Sequence, residues 1–260
     1  MIKVESLQYD TFFKKGFRDV DIFTGLVKDF TGIHLEIDEV ENDKVFDPPI
    51  GRVKARFDLF AQDKKNRIIV EAQHGYSTDD FDRFFYYHAI AMAEIIHSSE
   101  DYRFPKLIIT LVFFTEKTTP KADKNILVQD LEIRDQDGEI IEKARRLKHQ
   151  IIFVFTKDPL CDLNAPEPCR QWIEAINDTL DKQVDENDYD NPLIKQLFQA
   201  ISKDKTTPEE YAQMKEEFNQ RTAVKDALLK TARNLKANGK LMNEEIAEMT
   251  DLTLAEVQVL

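Results

Sequence analysis

Apolar residues form several runs of strand length in the first 160 positions of the chain. LIITLVFF (107–114) and QIIFVFT (150–156) are continuous and rich in β-branched residues, which is typical of strands buried on both faces of a sheet. VKARFDLFAQ and RIIVEAQH flank the turn sequence DKKN and predict a hairpin. ILVQDLEIRDQDGEII predicts a second hairpin, with its turn at Asp137 and Gly138.

Helical periodicity dominates elsewhere. LQYDTFFKKGF and VDIFTGLVKDFTG predict one or two amphipathic helices, with an apolar stripe made of Phe12, Phe23, Leu26, Val27 and Phe30. DRFFYYHAIAMAEII and EPCRQWIEAINDTLDK predict further helices, and every segment from Leu193 onward is compatible with helix. The pattern predicts an α/β domain, in which helices and strands are mixed, over residues 1–190 and a helical C-terminal region over 191–260, separated by the acidic sequence DENDYDNP.

Charge argues against one class of partner. The formal net charge is −13 and the pI is about 4.9. Because phosphate binding uses Lys and Arg, this balance disfavours nucleic acid. Three short basic clusters could nevertheless bind phosphate locally. They consist of Arg52, Lys54 and Arg56; of Lys64, Lys65 and Arg67; and of Lys143, Arg145, Arg146 and Lys148.

The sequence also bears on location. No run of about 18 apolar residues predicts a membrane span, and MIKVESLQYD lacks the apolar region of a secretion signal. Cys161 and Cys169 have neither Cys-x-x-Cys spacing nor a His partner at zinc-site spacing. We expect reduced thiols in a cytoplasmic protein, although sequence alone leaves a disulfide open.

The first predicted hairpin brings two carboxylates together. A turn at Lys64 and Lys65, or a four-residue loop over 63–66, makes Asp58 face Glu71. This register keeps one face wholly apolar, and that face contains Phe57, Leu59, Ala61, Ile68, Val70 and Ala72. The other face carries Arg56, Asp58, Glu71 and Gln73. A three-residue loop would instead place the two carboxylates on opposite faces.

Facing carboxylates call for a cation, a shared proton or water, since like charges about 5 Å apart repel. Mg²⁺ accepts one or two carboxylates together with water and substrate phosphate, so Asp58 and Glu71 are candidate metal ligands. Gln73 lies on the same face and could orient a water or a phosphate oxygen. The alternative is that all three side chains form the solvated face of an ordinary hairpin.

Several short motifs together resemble the PD-(D/E)XK nuclease signature, in the branch of recombination-promoting nucleases and putative transposases. They are Asp58 followed by VEAQ, the N-terminal DTFFK, the helix sequence DRFFYYHA, the strand IIFVFT and the later WIEAI. Two departures stand out. Phe57 occupies the position of the family proline, and DTFFK has one residue more than the family pattern, which puts the role of Asp10 in doubt.

The resemblance implies a restriction-endonuclease-like core, which is a mixed sheet flanked by helices. It also implies Mg²⁺- or Mn²⁺-dependent hydrolysis of DNA, with a link to mobile elements or recombination. Carried over, Asp58 and Glu71 are the metal ligands, and Gln73 takes the place of the family lysine. A neutral amide cannot stabilise developing charge as a cation can. The alternative function is therefore a catalytically silent nuclease fold that acts as a binding or regulatory module.

Two helical residues are candidate phosphate contacts. Arg83 and Tyr87 are four positions apart and share a helix face, which the nuclease interpretation directs toward the carboxylates. In the structural interpretation, Arg83 pairs with Asp79 or Asp80 instead, and the neighbouring aromatic residues Phe84, Phe85 and Tyr86 belong to the core.

The C-terminal sequence NEEIAEMTDLTLAEVQVL resembles the start of a helix-turn-helix, with a capping box at Thr253 and Glu256. Its expected small core consists of Ile246, Ala247, Leu252 and Val257. Few basic residues follow Lys240, so we expect self-association, as a homodimer through the C-terminal helices, in preference to base reading.

Overall fold

The computed structural model describes residues 1–47, 53–74, 80–96, 104–115, 124–142, 147–157, 165–250 and 252–260. These residues form two compact units. The first ends at Thr206 and the second runs from Thr207 to Leu260. Each unit is described separately below.

The first unit contains a mixed sheet and five helices in its described part. In chain order, its elements are β1 (Ile2–Lys3), α1 (Asp10–Phe17), α2 (Val20–Thr31), β2 (Glu41–Phe46), β3 (Ala55–Gln62), β4 (Asn66–Gln73), α3 (Asp80–Ala93), β5 (Leu107–Phe114), β6 (Ile126–Asp130), β7 (Gln150–Phe155), α4 (Glu167–Asp178), β8 (Gln183–Val184) and α5 (Pro192–Ala200). Single 3₁₀ turns follow α4, β8 and α5.

Six strands form the main sheet in the order β2-β3-β4-β5-β7-β6. The central pairs β4–β5 and β5–β7 are parallel, and the outer pairs are antiparallel. The parallel strands β5 and β7 are the two continuous apolar runs of the sequence, which confirms that such runs belong in the doubly covered centre of the sheet.

Helices cover both faces of this sheet. Phe113 of β5 contacts Phe13 and Phe17 of α1, whereas the next residue, Phe114, contacts Phe81 and Phe84 of α3. Successive strand residues point to opposite faces. Helix α1 therefore packs on one face and α3 on the other, and the fold is the mixed α/β architecture that the sequence predicts.

The hairpin register is confirmed by the ladder from Leu59↔Val70 to Gln62↔Arg67. The Asp63 carboxylate closes the turn by accepting hydrogen bonds from the backbone N–H groups of Lys65 and Asn66.

The apolar face of the hairpin departs from prediction at one residue. Phe57 packs with Phe60 and Ile69 and contacts the ring of Tyr87 at 5.7 Å, on the α3 side. Strict alternation would place Phe57 with Leu59 on the opposite face, so this part of the prediction is wrong. The alternation is interrupted between Phe57 and Phe60, at Asp58.

Two strand pairings also differ from the sequence expectation. ILVQD does form a strand, β6, but it pairs with β7 and not with the residues after Gly138. The predicted turn at Asp137 and Gly138 is present, since Gly138 has φ of +87° and an isolated bridge joins Arg134 to Ile140. β2 and the small β1–β8 sheet were not predicted, because their sequences are too short or too polar to show a strand pattern.

The helix α5 lies beyond residue 190 and packs within the first unit. Its Ile194, Leu197 and Phe198 are fully buried. Gly25 of α2 permits the close approach, because a Cβ there would lie 2.1 Å from the Cδ1 atom of Leu193. We therefore move the proposed end of the nuclease-like domain from residue 190 to the junction at Thr206 and Thr207.

The second unit consists of α6 (Pro208–Asn238), α7 (Asn243–Thr250) and α8 (Leu254–Gln258). Its buried centre contains Ala232, Ile246, Leu252 and Val257, and the partly buried residues around it include Leu228, Leu235 and Ala247. The capping box of Thr253 and Glu256 is confirmed. The C-terminal half of α6 is thus the helix on which α7 and α8 pack.

Candidate active site

Asp58 and Glu71 lie at the end of the β3–β4 ladder. The backbone N–H of Asp58 donates to Glu71 Oε1 at 3.1 Å, and the backbone N–H of Ala72 donates to Asp58 Oδ2 at 3.0 Å. Each carboxylate therefore bonds the opposite strand and fixes the position of the other.

Burial sets the electrostatics of the pair. Glu71 is only 4% exposed, and burial followed by the charge of Asp58 raises its pKa well above the usual range. Burial and then the charge of Asp10 raise the pKa of Asp58. Because burial and mutual repulsion both disfavour two ionised carboxylates, the pair favours binding of a proton or a cation.

Lys14 of α1 brings a positive charge to the pair. Its Nζ atom lies 3.3 Å from Asp58 Oδ1, 2.8 Å from Asp10 Oδ2 and 2.7 Å from Asp43 Oδ1. Burial by itself lowers the pKa of Lys14, but Asp58, Asp10 and Asp43 together raise it, so the ammonium form is held.

Sequence reasoning gave no role to Lys14 or Asp43. Two signals could have found Lys14: it is the last residue of the DTFFK motif, and it is four positions from Asp10 on a predicted helix. Nothing in the local sequence indicated that β2 would bring Asp43 to the same point. Asp10 reaches the site through Lys14.

Gln73 and Arg83 contact each other. An Nη2 hydrogen of Arg83 is donated to Gln73 Oε1, which links β4 to α3 beside Glu71. The positive charge of Arg83 acts on Glu71 by lowering its pKa, against the larger effect of burial. Arg83 therefore points to the carboxylate end of the sheet.

Tyr87 lies next to this group. Its pKa is raised by burial, and the charges of Arg83, Glu71 and Asp58 all act on it. Its ring also packs edge-on against Phe57, so it has a structural contact as well as access to the site.

The structural interpretation of α3 concerns Asp79, Asp80 and the aromatic residues after Arg83. Asp79 and the side chain of Asp80 lie outside the described residues. Phe84 is fully buried as that interpretation expects, but Phe85 is 45% exposed, so its assignment to the core is wrong.

Some of the basic residues noted in the sequence are used internally. Arg67 is buried, pairs with Glu94 and lies over the rings of Phe46 and Phe60, so it does not add to a basic surface with Lys64 and Lys65. Arg56 bonds Asp43. Arg52, Lys143, Arg145 and Arg146 lie outside the described residues.

The same limit applies to the cysteines. Cys169 is a free, buried thiol whose pKa burial raises to about 11, and Cys161 lies outside the described residues.

The donor set of the carboxylate pair suits a hard divalent cation. Both candidate ligands are carboxylates, and no described residue donates a hydrogen bond to Glu71 Oε2. Within the described ranges, no group of three or more His, Cys, Asp or Glu side chains could hold a metal ion. Two carboxylates completed by water and substrate phosphate match the preference of Mg²⁺.

Comparison with protein families decides the classification. A family model described as PD-(D/E)XK nuclease family transposase matches residues 33–232. The chain belongs to this family. No curated protein and no solved structure matched.

Membership in the PD-(D/E)XK nuclease family transposases agrees with the six-stranded mixed sheet and its flanking helices, which form a restriction-endonuclease-like fold. A nuclease family implies DNA as its substrate. The matched region contains Asp58, Glu71, Gln73, Arg83 and Tyr87, but it begins after α1 and therefore excludes Lys14.

The structure also bears on the membrane prediction. Among the helices of the described residues, none combines the length and the apolar character needed to cross a bilayer.

Proposed function

We propose that this PD-(D/E)XK family protein is a DNA endonuclease that hydrolyses phosphodiester bonds and depends on Mg²⁺ or Mn²⁺. The observation that carries the proposal is the buried, interlocked pair of Asp58 and Glu71 with Lys14 and Arg83 beside it. Perturbed, coupled carboxyl groups are typical of catalytic sites.

Asp58 and Glu71 are the proposed metal ligands. When bound, a divalent ion neutralises charge on the phosphodiester and activates a water. The chain's own contribution is to hold the two carboxylates rigidly through the backbone N–H groups of Asp58 and Ala72. Rigid ligands need little rearrangement during the reaction.

Gln73, Arg83 and Tyr87 are the proposed substrate-orienting residues. Because Gln73 Oε1 accepts a hydrogen bond from Arg83, the amide holds the guanidinium in place. Arg83 can then bind a phosphate oxygen with its remaining N–H groups. This assigns Gln73 to the alignment of Arg83, in place of the water-positioning role first expected.

The acidic composition predicts how DNA binds. The net charge is −13, and Arg56 and Arg67 both bond acidic side chains of the chain itself. We therefore expect weak, salt-sensitive affinity for DNA, with the metal supplying part of the attraction to phosphate. The family's description as a transposase supports a link to mobile elements or recombination.

Plasmid nicking tests the proposal. Purified protein should convert supercoiled plasmid to the open circle with Mg²⁺ or Mn²⁺ and not with EDTA. Asp58→Asn and Glu71→Gln should each reduce the rate by about a thousandfold or more, with unchanged circular dichroism. Asp226→Asn, which removes an exposed carboxylate of α6, is the matched control and should nick normally. Equal nicking by wild type and both site variants would show that the site is elsewhere.

Two contacts of the site favour the catalytically silent alternative. Lys14 already neutralises Asp58, and the oxygen of Gln73 is occupied by Arg83. A protein that binds DNA but cleaves none with any divalent ion would be a binding or regulatory module on the same fold.

We also propose homodimer formation through the second unit. The part of α6 from Pro208 to Val224 exposes Tyr211, Phe218 and Val224, each more than half accessible, while the part after it packs on α7 and α8. Twofold pairing is the commonest oligomer.

Light scattering tests the dimer. The full chain should have twice its monomer mass, and the double variant Tyr211→Ser, Phe218→Ser should have the monomer mass. The same mass for both proteins would contradict pairing through this surface.

A further inference from the structure

Lys14 is the most enclosed cation of the candidate site. It is 7% exposed, and its ammonium contacts three acidic side chains, from α1, β2 and β3. Lysine is almost never buried to this degree unless it is paired. Its neighbours Phe12, Phe13 and Phe17 already fill the apolar surface of α1, so packing alone does not require a lysine at this position.

The surrounding chain is arranged to hold that ammonium. Asp43 has φ of +55°, an uncommon conformation for a residue with a side chain, and its Oδ1 atom accepts from both Lys14 and Arg56. Asp10 accepts from Lys14 one helical turn away. Strained backbone of this kind often occurs at functional sites.

The position two residues after Glu71 on β4 carries no cation. Position 73 is a glutamine, and its oxygen is bonded to Arg83. The Lys14 ammonium, in contrast, lies 3.3 Å from Asp58 Oδ1. We propose that Lys14 supplies, from helix α1, the positive charge that stabilises the reacting phosphodiester at the Asp58–Glu71 site. This rests on the proposed nuclease function.

The role is one of charge. In the hydrolysis, a water oxygen forms a bond to phosphorus and one P–O ester bond breaks. The attacking water loses a proton to solvent, and the leaving oxygen takes one from solvent. Lys14 transfers no proton; it stays an ammonium and stabilises the negative charge that develops on the phosphate oxygens.

If Lys14 acts through its charge on the phosphate, its removal should lower the cleavage rate without weakening metal binding. Removing a positive charge beside Asp58 does not remove a ligand and relieves repulsion of a divalent ion. Lys14→Met should therefore bind Mn²⁺ at least as tightly as wild type, and up to about fivefold more tightly. A lysine that only built the metal site would show the opposite result.

The experiment compares Lys14→Met, Lys14→Arg and Lys15→Met in the full chain. Lys15 is the matched control, because it is the next residue of α1 and bonds the backbone carbonyl of Lys205. With saturating Mn²⁺, Lys14→Met should lose about a hundredfold or more of the cleavage rate, and Lys14→Arg should recover part of it. Lys15→Met should cleave normally. Calorimetric titration with Mn²⁺ gives the affinities.

Several results overturn the assignment. Cleavage by Lys14→Met within threefold of wild type would do so, as would parallel loss of Mn²⁺ binding and cleavage. If Lys14→Met does not fold, the double variant Lys14→Met, Asp43→Asn is used in its place. It removes one positive and one negative charge together. The double variant should fold, bind Mn²⁺ and remain inactive. Cleavage by the double variant at the wild-type rate would contradict the role of Lys14. A wild-type protein that binds Mn²⁺ and cleaves no DNA would refute the proposed function, whereas a cleaving wild type with an equally active Lys14→Met variant would refute the Lys14 role alone.

Discussion

Helix α3 covers two groups of buried polar side chains on the same face of the sheet, and they differ in charge. Near its start, Arg83 and Tyr87 lie beside Glu71 and Asp58. His88, the residue that follows Tyr87, bonds the hydroxyl of Thr110 at 2.8 Å, close to His149. Burial raises the pKa of the carboxyl groups and lowers that of the imidazoles, so at both ends it favours the neutral form.

The difference lies in what surrounds each group. The imidazoles have no acidic partner among their described hydrogen bonds. His88 bonds a hydroxyl, and His149 Nδ1 accepts from the backbone N–H of Ile108. Lys14 and Arg83 instead lie beside the carboxylates, and their positive charges favour the ionised form of Asp58 and Glu71. A perturbed pKa occurs at both groups and does not distinguish them; the convergent opposite charges are what make the carboxylate pair the candidate active site.

The largest expected effect concerns the imidazole end. Burial and then the charge of His149 lower the pKa of His88 to about 4, from about 6.5 in the unfolded chain. As the pH falls, His88 is protonated in the unfolded chain before it is protonated in the folded protein. The stability that depends on neutral His88 is therefore fully present above about pH 6.5 and is lost as the pH falls toward 4. The loss should reach about 3 kcal/mol.

Urea unfolding between pH 4 and 7.5 measures this effect as the difference between wild type and His88→Gln, because carboxyl groups titrate equally in both. His34→Gln, at an exposed position, is the control. Parallel pH profiles of wild type and His88→Gln would show that His88 is not held neutral by the fold.

The next effect concerns cation binding at the carboxylate end. A divalent ion that binds only the folded protein stabilises it by mass action, by about 2.7 kcal/mol at a concentration one hundred times Kd. Mg²⁺ or Mn²⁺ should therefore raise the melting temperature of wild type, and Asp58→Asn should blunt that rise. An identical metal response in the two proteins would place the ligands elsewhere.

The smallest effect concerns the same end without metal. The folded-state pKa of Glu71 is raised above 4.5, so its contribution to stability falls as pH rises from about that value. In EDTA at pH 7, Glu71→Gln should stabilise the protein by about 1 kcal/mol, or roughly 2–4 °C in Tm. The gain should shrink as the pH approaches 4.5. A variant less stable than wild type at pH 7 would mean that Lys14 and Arg83 fully compensate the Glu71 charge.

The sequence by itself determined the central strands β3, β4, β5 and β7, the hairpin register and the location of the carboxylates. The runs at β5 and β7, the turn at Asp63 and the alternation from Leu59 to Gln62 are all local signals. A strand repeats every two residues and a turn spans four, so the information that fixes these features lies within a few residues. Asp58 and Glu71 could be paired for the same reason.

Only the tertiary structure decided which groups surround that pair. Lys14 is separated from Asp43 by 29 positions and from Asp58 by more, and Arg83 reaches Gln73 from a helix on one face of the sheet. The position of Phe57 on the α3 side and the pairing of β6 with β7 are likewise set by partners distant in sequence. Such contacts depend on how helices and strands pack, and no local period records them. The charge that completes the site is therefore visible only once α1, β2 and β3 meet.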